Sequence, residues 1–106
     1  MTLVTEDMSP STDALTARYA AAREIAEEAG SLALDYFRRR KDLTIEIKGG
    51  LQDVVSIADK NVETLIRDRL HTSFPEDGIL GEEHGIEQGS SGFTWVVDPI
   101  DGTSAF

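Results

Sequence analysis

The sequence predicts an α/β architecture, two long helices layered on a mixed sheet, and three observations predict it. Apolar residues recur at spacings of three and four over two long stretches, which is the helical period. Short β-branched or apolar runs follow these stretches at Leu43–Lys48, Ile79–Glu83 and Phe93–Val97. The last run is apolar enough to lie inside a sheet, so the layers pack helix on sheet.

Taken in order, residues 1–12 are polar and mixed, with Pro10 and several Ser and Thr, and read as a loose N-terminal arm. From Asp13 the pattern is helical. Ala22, Ile25, Ala26, Ala29, Leu32, Ala33, Tyr36 and Phe37 form one stripe, and Arg23, Glu24, Glu27, Glu28, Asp35 and Arg38 take the other face to about Lys41. Gly30 lowers the local propensity without breaking the helix. Leu43-Thr44-Ile45-Glu46-Ile47-Lys48 alternates and predicts a short strand, closed by a turn at Gly49-Gly50. A second helix is expected from about Ser56, where Ser56-Ile57-Ala58-Asp59 has the spacing of a capping box. Its stripe is Val62, Leu65, Ile66, Leu70 and Phe74; Pro75 ends it and Asp77-Gly78 turns the chain. Ile79-Leu80-Gly81-Glu82-Glu83 is a short strand delivering two acids at its exit. Gly85 to Gly92 is a Gly/Ser-rich surface loop, and Phe93-Thr94-Trp95-Val96-Val97 is the best strand in the chain. Such a sheet needs a cover that few remaining residues supply. Residues 13–106 therefore read as the N-terminal part of a larger domain.

Composition removes several classes of function. The chain has 106 residues, no Cys, 10 Lys+Arg against 20 Asp+Glu and a formal charge of −10. Without thiols there is no disulfide scaffold and no thiolate-bound metal. No apolar run is long enough to span a bilayer, and Met1 to Pro10 carries Glu6 and Asp7 without the basic and apolar regions of a secretory signal. Nucleic acid is a poor partner for so acidic a chain, because counterion release needs basic surface. The one basic run, Arg38-Arg39-Arg40-Lys41, sits where it complements a helix C-terminus. His71 and His84 lack metal-like or nucleophile-like spacing and read as surface residues; Phe93 and Trp95 read as core.

The chemistry gathers at Asp98-Pro99-Ile100-Asp101-Gly102-Thr103, where a buried strand ends in two acids. Pro99 restricts the backbone and Gly102 frees it, so a tight turn can aim both carboxylates to one side with the Ile100 carbonyl between them. Two carboxylates and a carbonyl suit Mg²⁺, or Mn²⁺ in its place, rather than a soft metal. If a helix opens after Asp101, Gly102 and Thr103 offer free N–H groups to a phosphate, and the Thr103 hydroxyl can orient a water. Glu82 leaves the preceding strand; if the two strands are neighbours, Glu82 and Asp98 converge, with Asp98 as the bridge between two cations. Asp53 precedes the second helix, where the dipole alone would favour an acid, and Asp59 reads as a cap rather than a ligand.

Gly81-Glu82-Glu83, then Trp95-Val96-Val97-Asp98-Pro99-Ile100-Asp101-Gly102-Thr103 with Phe106, resemble the N-terminal signature of the inositol monophosphatase family. Asp53-Val54-Val55-Ser56-Ile57-Ala58-Asp59 resembles an upstream element of that family, with Ser56 in place of Thr, and Phe74-Pro75 also fits. The resemblance covers roughly residues 14–106. It implies an αβαβα sandwich, here truncated to its N-terminal part, and Mg²⁺-dependent, lithium-sensitive hydrolysis of a phosphate monoester without a covalent intermediate. Glu82, Asp98 and the Ile100 carbonyl would hold one metal, and Asp98 and Asp101 a second. Glu82, with Asp53 near it, would serve a third, weaker site. Thr103, helped by Asp53, would activate the water; Gly102 and Thr103 would contact the phosphate, and Glu82 and Asp101 would meet the substrate. The resemblance further implies a cytoplasmic homodimer acting on a small phosphorylated sugar or polyol, inositol 1-monophosphate by default. Histidinol phosphate, fructose 1,6-bisphosphate and 3′-phosphoadenosine phosphates are substrates of relatives.

Two departures matter. Ala105 stands where the family commonly has Asn, which bears on substrate subclass. The family's C-terminal half, which supplies another Asp and most sugar-binding residues, is absent, so the chain alone is expected to be weakly active or inactive. Haloacid-dehalogenase-like phosphatases are a rival reading, but they separate their two acids by one residue, and here Pro99 and Ile100 both intervene. Glycoside hydrolysis by paired carboxylates gives no reason for Gly102-Thr103. A cation-binding or associating fragment without turnover is the non-enzymatic alternative.

Overall fold

The structure, a computed structural model, describes residues 2–5, 12–46, 50–81 and 85–98. In chain order the elements are β1 (Thr2–Thr5), α1 (Thr12–Arg38), α2 (Arg40–Glu46), α3 (Gly50–Ser73), β2 (Gly78–Gly81), β3 (Gly85–Glu87) and β4 (Phe93–Val97). The four strands form one mixed sheet in the order β1-β4-β2-β3; β2 and β4 are parallel, and the other two pairings are antiparallel. No described helix is long and apolar enough to cross a membrane.

The apolar stripes account for the layering. Ile25 and Ala29 of α1 and Val62, Ile66 and Leu70 of α3 meet Ile79, Trp95 and Val97 from one face of the sheet in a single buried cluster. Alternation along β4 buries Phe93, Trp95 and Val97 and turns Thr94 and Val96 to the other face. On that second face Leu80 and Ile86 are exposed, so among the described residues helices cover only one side of the sheet.

The turn after α3 is held by one buried acid. Pro75 stops the helix at Ser73, and Asp77 then lies under four hydrogen bonds. Arg18 donates to it twice (2.7 and 2.8 Å), Ser91 Oγ once (2.6 Å) and Trp95 Nε1 once (2.9 Å). The Arg18 guanidinium lies 3.8 Å from the Phe93 ring centre and 4.6 Å from that of Phe74. Burial of Asp77 opposes its ionisation, but the hydrogen bonds from Arg18, Ser91 and Trp95, with the charge of Arg18, outweigh it and hold the carboxyl below its ordinary pKa. This cluster ties α1, the α3–β2 turn and β4 together.

Four sequence expectations are corrected. Residues 43–46 are helical rather than extended, in α2; residues 47 and 48 lie outside the described set. The short run carries both periods, and burial of Leu43 one turn after Arg39, with the Leu43 N–H bonded to the Arg39 carbonyl (2.9 Å), decides for the helix. α3 begins at Gly50, where φ is +73°, and not near Ser56. Val54 and Ala58, both fully buried, extend the apolar stripe towards the N-terminus, so Ser56 and Asp59 are inside the helix and cap nothing. Thr2–Thr5, read as part of a loose arm, pairs with β4 as β1, its β-branched residues suiting an edge strand. Gly85–Glu87, read as loop, pairs with β2 as β3 and so satisfies its backbone groups there.

The basic run meets its expectation only in part, because Arg40 and Lys41 lie in the first turn of α2. Arg38 occupies the last turn of α1, and Arg40 donates to the Phe37 carbonyl at 2.7 Å while its guanidinium lies 4.0 Å from the Phe37 ring centre.

Candidate active site

The two strands that precede the acidic elements are neighbours. β2 and β4 run parallel in the register Gly78↔Thr94 to Gly81↔Val97, so both end at the same level of the sheet. Asp98 follows β4 at once and is exposed. Glu82 follows Gly81 in sequence; Glu82, Ile100, Asp101, Gly102 and Thr103 lie outside the described residues. The carboxyl ends of parallel strands are where open α/β sheets bind ligands.

α3 brings charge to the same level from the helical layer. Glu63 and Arg67, one turn apart, are buried, and Arg67 Nε donates to Glu63 Oε2 at 3.2 Å. A Cβ on Gly81 would lie 2.5 Å from Glu63 Oε1 and 2.9 Å from an Arg67 guanidinium nitrogen. Glycine at this position is therefore what lets the last residue of β2 approach the ion pair. Gly81→Ala is expected to destabilise by ~1–3 kcal/mol, because the added methyl displaces a buried ion pair from its hydrogen bonds; urea unfolding measures this.

Arg67 also donates to the Gly85 carbonyl at 2.5 Å and to Glu87 Oε1 at 2.7 Å. His71 Nε2 lies 2.7 Å from the other Glu87 oxygen. Burial of Glu87 opposes ionisation, but hydrogen bonds from His71 and Arg67 and their charges outweigh it and hold its pKa below the usual value. His71 is thus a surface residue, as expected, with an acidic partner.

Asp59 was read from sequence as a cap. It is buried, and it precedes Glu63 by one turn, about 6 Å along the helix axis. Glu63 lies against Gly81, the last residue of β2, and Asp59 is one turn further towards the N-terminus of α3. Asp53 is exposed in the first turn of α3, about 120° round the helix from Asp59. The signal in the sequence was the spacing Asp59, Glu63, Arg67, a charged row at i, i+4 and i+8 beside an apolar stripe. That row is hard to distinguish from a solvated helix face without knowing what packs on it.

Among the described residues no three acids or histidines gather closely enough to hold a metal ion. The donors proposed from sequence are all oxygens, and Asp98, the one proposed metal ligand that is described, is open to solvent. That set fits a hard divalent cation.

A sequence profile of the inositol monophosphatase family matches residues 14–106. The chain belongs to the inositol monophosphatase family. It is 44% identical over 86 residues to a histidinol-phosphatase of Chlorobaculum parvum, covering 80% of this chain and 32% of that protein. It is 42% identical over 72 residues to inositol-1-monophosphatase of Bacillus subtilis, covering 62% of this chain and 26% of that one. The crystal structure of inositol monophosphatase-II from Staphylococcus aureus superposes with a TM-score of 0.66 at 33% identity, over 85% of this chain and 32% of that chain. The chain thus spans between about a quarter and a third of the length of these relatives. Helices packed on a mixed sheet are the architecture expected of the family's N-terminal part.

Proposed function

We propose that this part of the protein carries the metal-binding half of a phosphate-monoester hydrolase site. The observation that supports this best is the parallel pairing of β2 with β4, which ends the two strands side by side at Gly81 and Val97 with Asp98 exposed at the tip. Glu82, Asp98, the Ile100 carbonyl and Asp101 would hold Mg²⁺, in two or three ions. When bound, such cations neutralise phosphate charge and supply a water acidified towards neutral pH.

The remaining roles belong to the chain. Thr103 would accept a hydrogen bond from the attacking water on its hydroxyl oxygen, and the Gly102 and Thr103 N–H groups would donate to phosphate oxygens. Asp59 is a better partner for that hydroxyl than Asp53, because it is buried on α3 one turn from Glu63, which reaches the end of β2, whereas Asp53 faces solvent. Thr103→Ala is expected to leave Mg²⁺ affinity unchanged and lower kcat by about 10²-fold; calorimetry and phosphate-release kinetics read the two effects separately.

Inositol 1-phosphate and histidinol phosphate are the substrates to compare first, because the two relatives above are named for those activities. The deciding experiment is phosphate release by the whole protein from each ester, with Mg²⁺ and with chelator. Release that depends on Mg²⁺ supports the reading, and no release from either ester, nor from fructose 1,6-bisphosphate, overturns it.

A further inference from the structure

We propose that Arg67, held by Glu63, is a positioning residue for the acidic strand ends: it locks the β2–β3 hairpin to α3 and so sets the affinity for the divalent cation. The inference rests on the functional reading above.

Arg67 is the only guanidinium among the described residues whose hydrogen bonds join α3 to the β2–β3 hairpin. It reaches its own helix at Glu63 Oε2 (3.2 Å), the first residue of β3 at the Gly85 carbonyl (2.5 Å) and the last at Glu87 Oε1 (2.7 Å). The planar fork of arginine can serve three acceptors in fixed directions at once, which an ammonium on a flexible stem cannot. Glu63 closes the arrangement from behind. It is fully buried, and its carboxylate fills the space a side chain on Gly81 would need. Gly81 is paired with Gly85 on one side and with Val97 on the other. The ion pair therefore abuts the point where β2 and β4 end and β3 begins.

This placement is unusual for a device of stability alone. A buried ion pair contributes little net stability, since desolvation offsets the attraction, and an apolar pair of similar volume commonly serves as well. A geometric role explains the pair better. Groups that orient metal ligands from behind typically change metal affinity by about ten- to a hundredfold when removed.

The test uses the whole protein and the double variant Glu63→Gln with Arg67→Met, which removes both charges together and leaves neither buried alone. Mg²⁺ binding is measured by calorimetry, beside thermal unfolding and the KM and kcat for the phosphate ester at saturating Mg²⁺. The expected result is a Mg²⁺ Kd weakened by about tenfold in a variant that still unfolds cooperatively, with KM for the ester little altered. Mg²⁺ affinity equal to wild type in the folded double variant overturns the proposal. If that variant does not fold, Glu87→Gln decides. It leaves the Glu63–Arg67 pair intact at a half-exposed position, and the expected weakening is about threefold, a fraction of the tenfold expected when the whole clamp is lost. Unchanged affinity there overturns the proposal equally. A wild-type protein that neither binds Mg²⁺ nor releases phosphate would instead remove the functional reading itself.

Discussion

Asp98→Asn is expected to lower Mg²⁺-dependent phosphate release by about 10³-fold or more and to weaken Mg²⁺ binding by over about tenfold. Asparagine has the size and shape of aspartate, so the substitution tests charge. A neutral amide oxygen is a poor ligand for a hard cation, and it cannot offset the repulsion between two cations that a shared carboxylate would bridge. Asp98 is exposed just beyond β4 and takes no part in the core, so stability should change by no more than about 0.5 kcal/mol. Phosphate-release kinetics, calorimetry and thermal unfolding on one preparation separate these effects. Unchanged turnover would remove Asp98 from the mechanism.

Asp77→Asn is expected to be the most damaging substitution for the fold, at about 3–5 kcal/mol. The amide would leave the Arg18 guanidinium, side chain 12% exposed and enclosed by Phe74 and Phe93, without its counter-charge. It would also disturb the hydrogen bonds from Ser91 and Trp95. The sign with pH follows from the lowered pKa of Asp77. Its contribution is complete above the unfolded-state value, about 3.9, and is lost as pH falls through the lower folded-state value. Urea unfolding at pH 7 should therefore separate wild type from variant widely, and the gap should narrow below about pH 4. A gap that stays constant down to pH 2 would show that the Asp77 charge is not what stabilises this turn.

Particular elements show how far sequence reading reaches. The helix of α1 and the strand of β4 were legible because each carries an unambiguous period over its length, and Pro75 marked the end of α3 by steric necessity. Residues 43–46 failed because four to six residues can satisfy both periods, and burial of Leu43 against its surroundings decided between them. The start of α3 was misplaced because Ser56 and Asp59 mimic a cap, and only the buried positions of Val54 and Ala58 reveal that the helix began a turn and a half earlier. The pairing of Thr2–Thr5 with β4 was not legible at all, since strand partners far apart in sequence leave no local mark.

The acids themselves, their order and the kind of cation they suit were determined by the sequence alone, because ligand preference is a property of oxygen donors and charge. Which acids share a neighbourhood was decided by the tertiary structure. The parallel register of β2 and β4 brings the tips of two distant segments level, and the packing of α3 buries Asp59 while leaving Asp53 in water. Register and burial depend on contacts between segments remote in the chain, and a periodicity of two or 3.6 residues does not encode them.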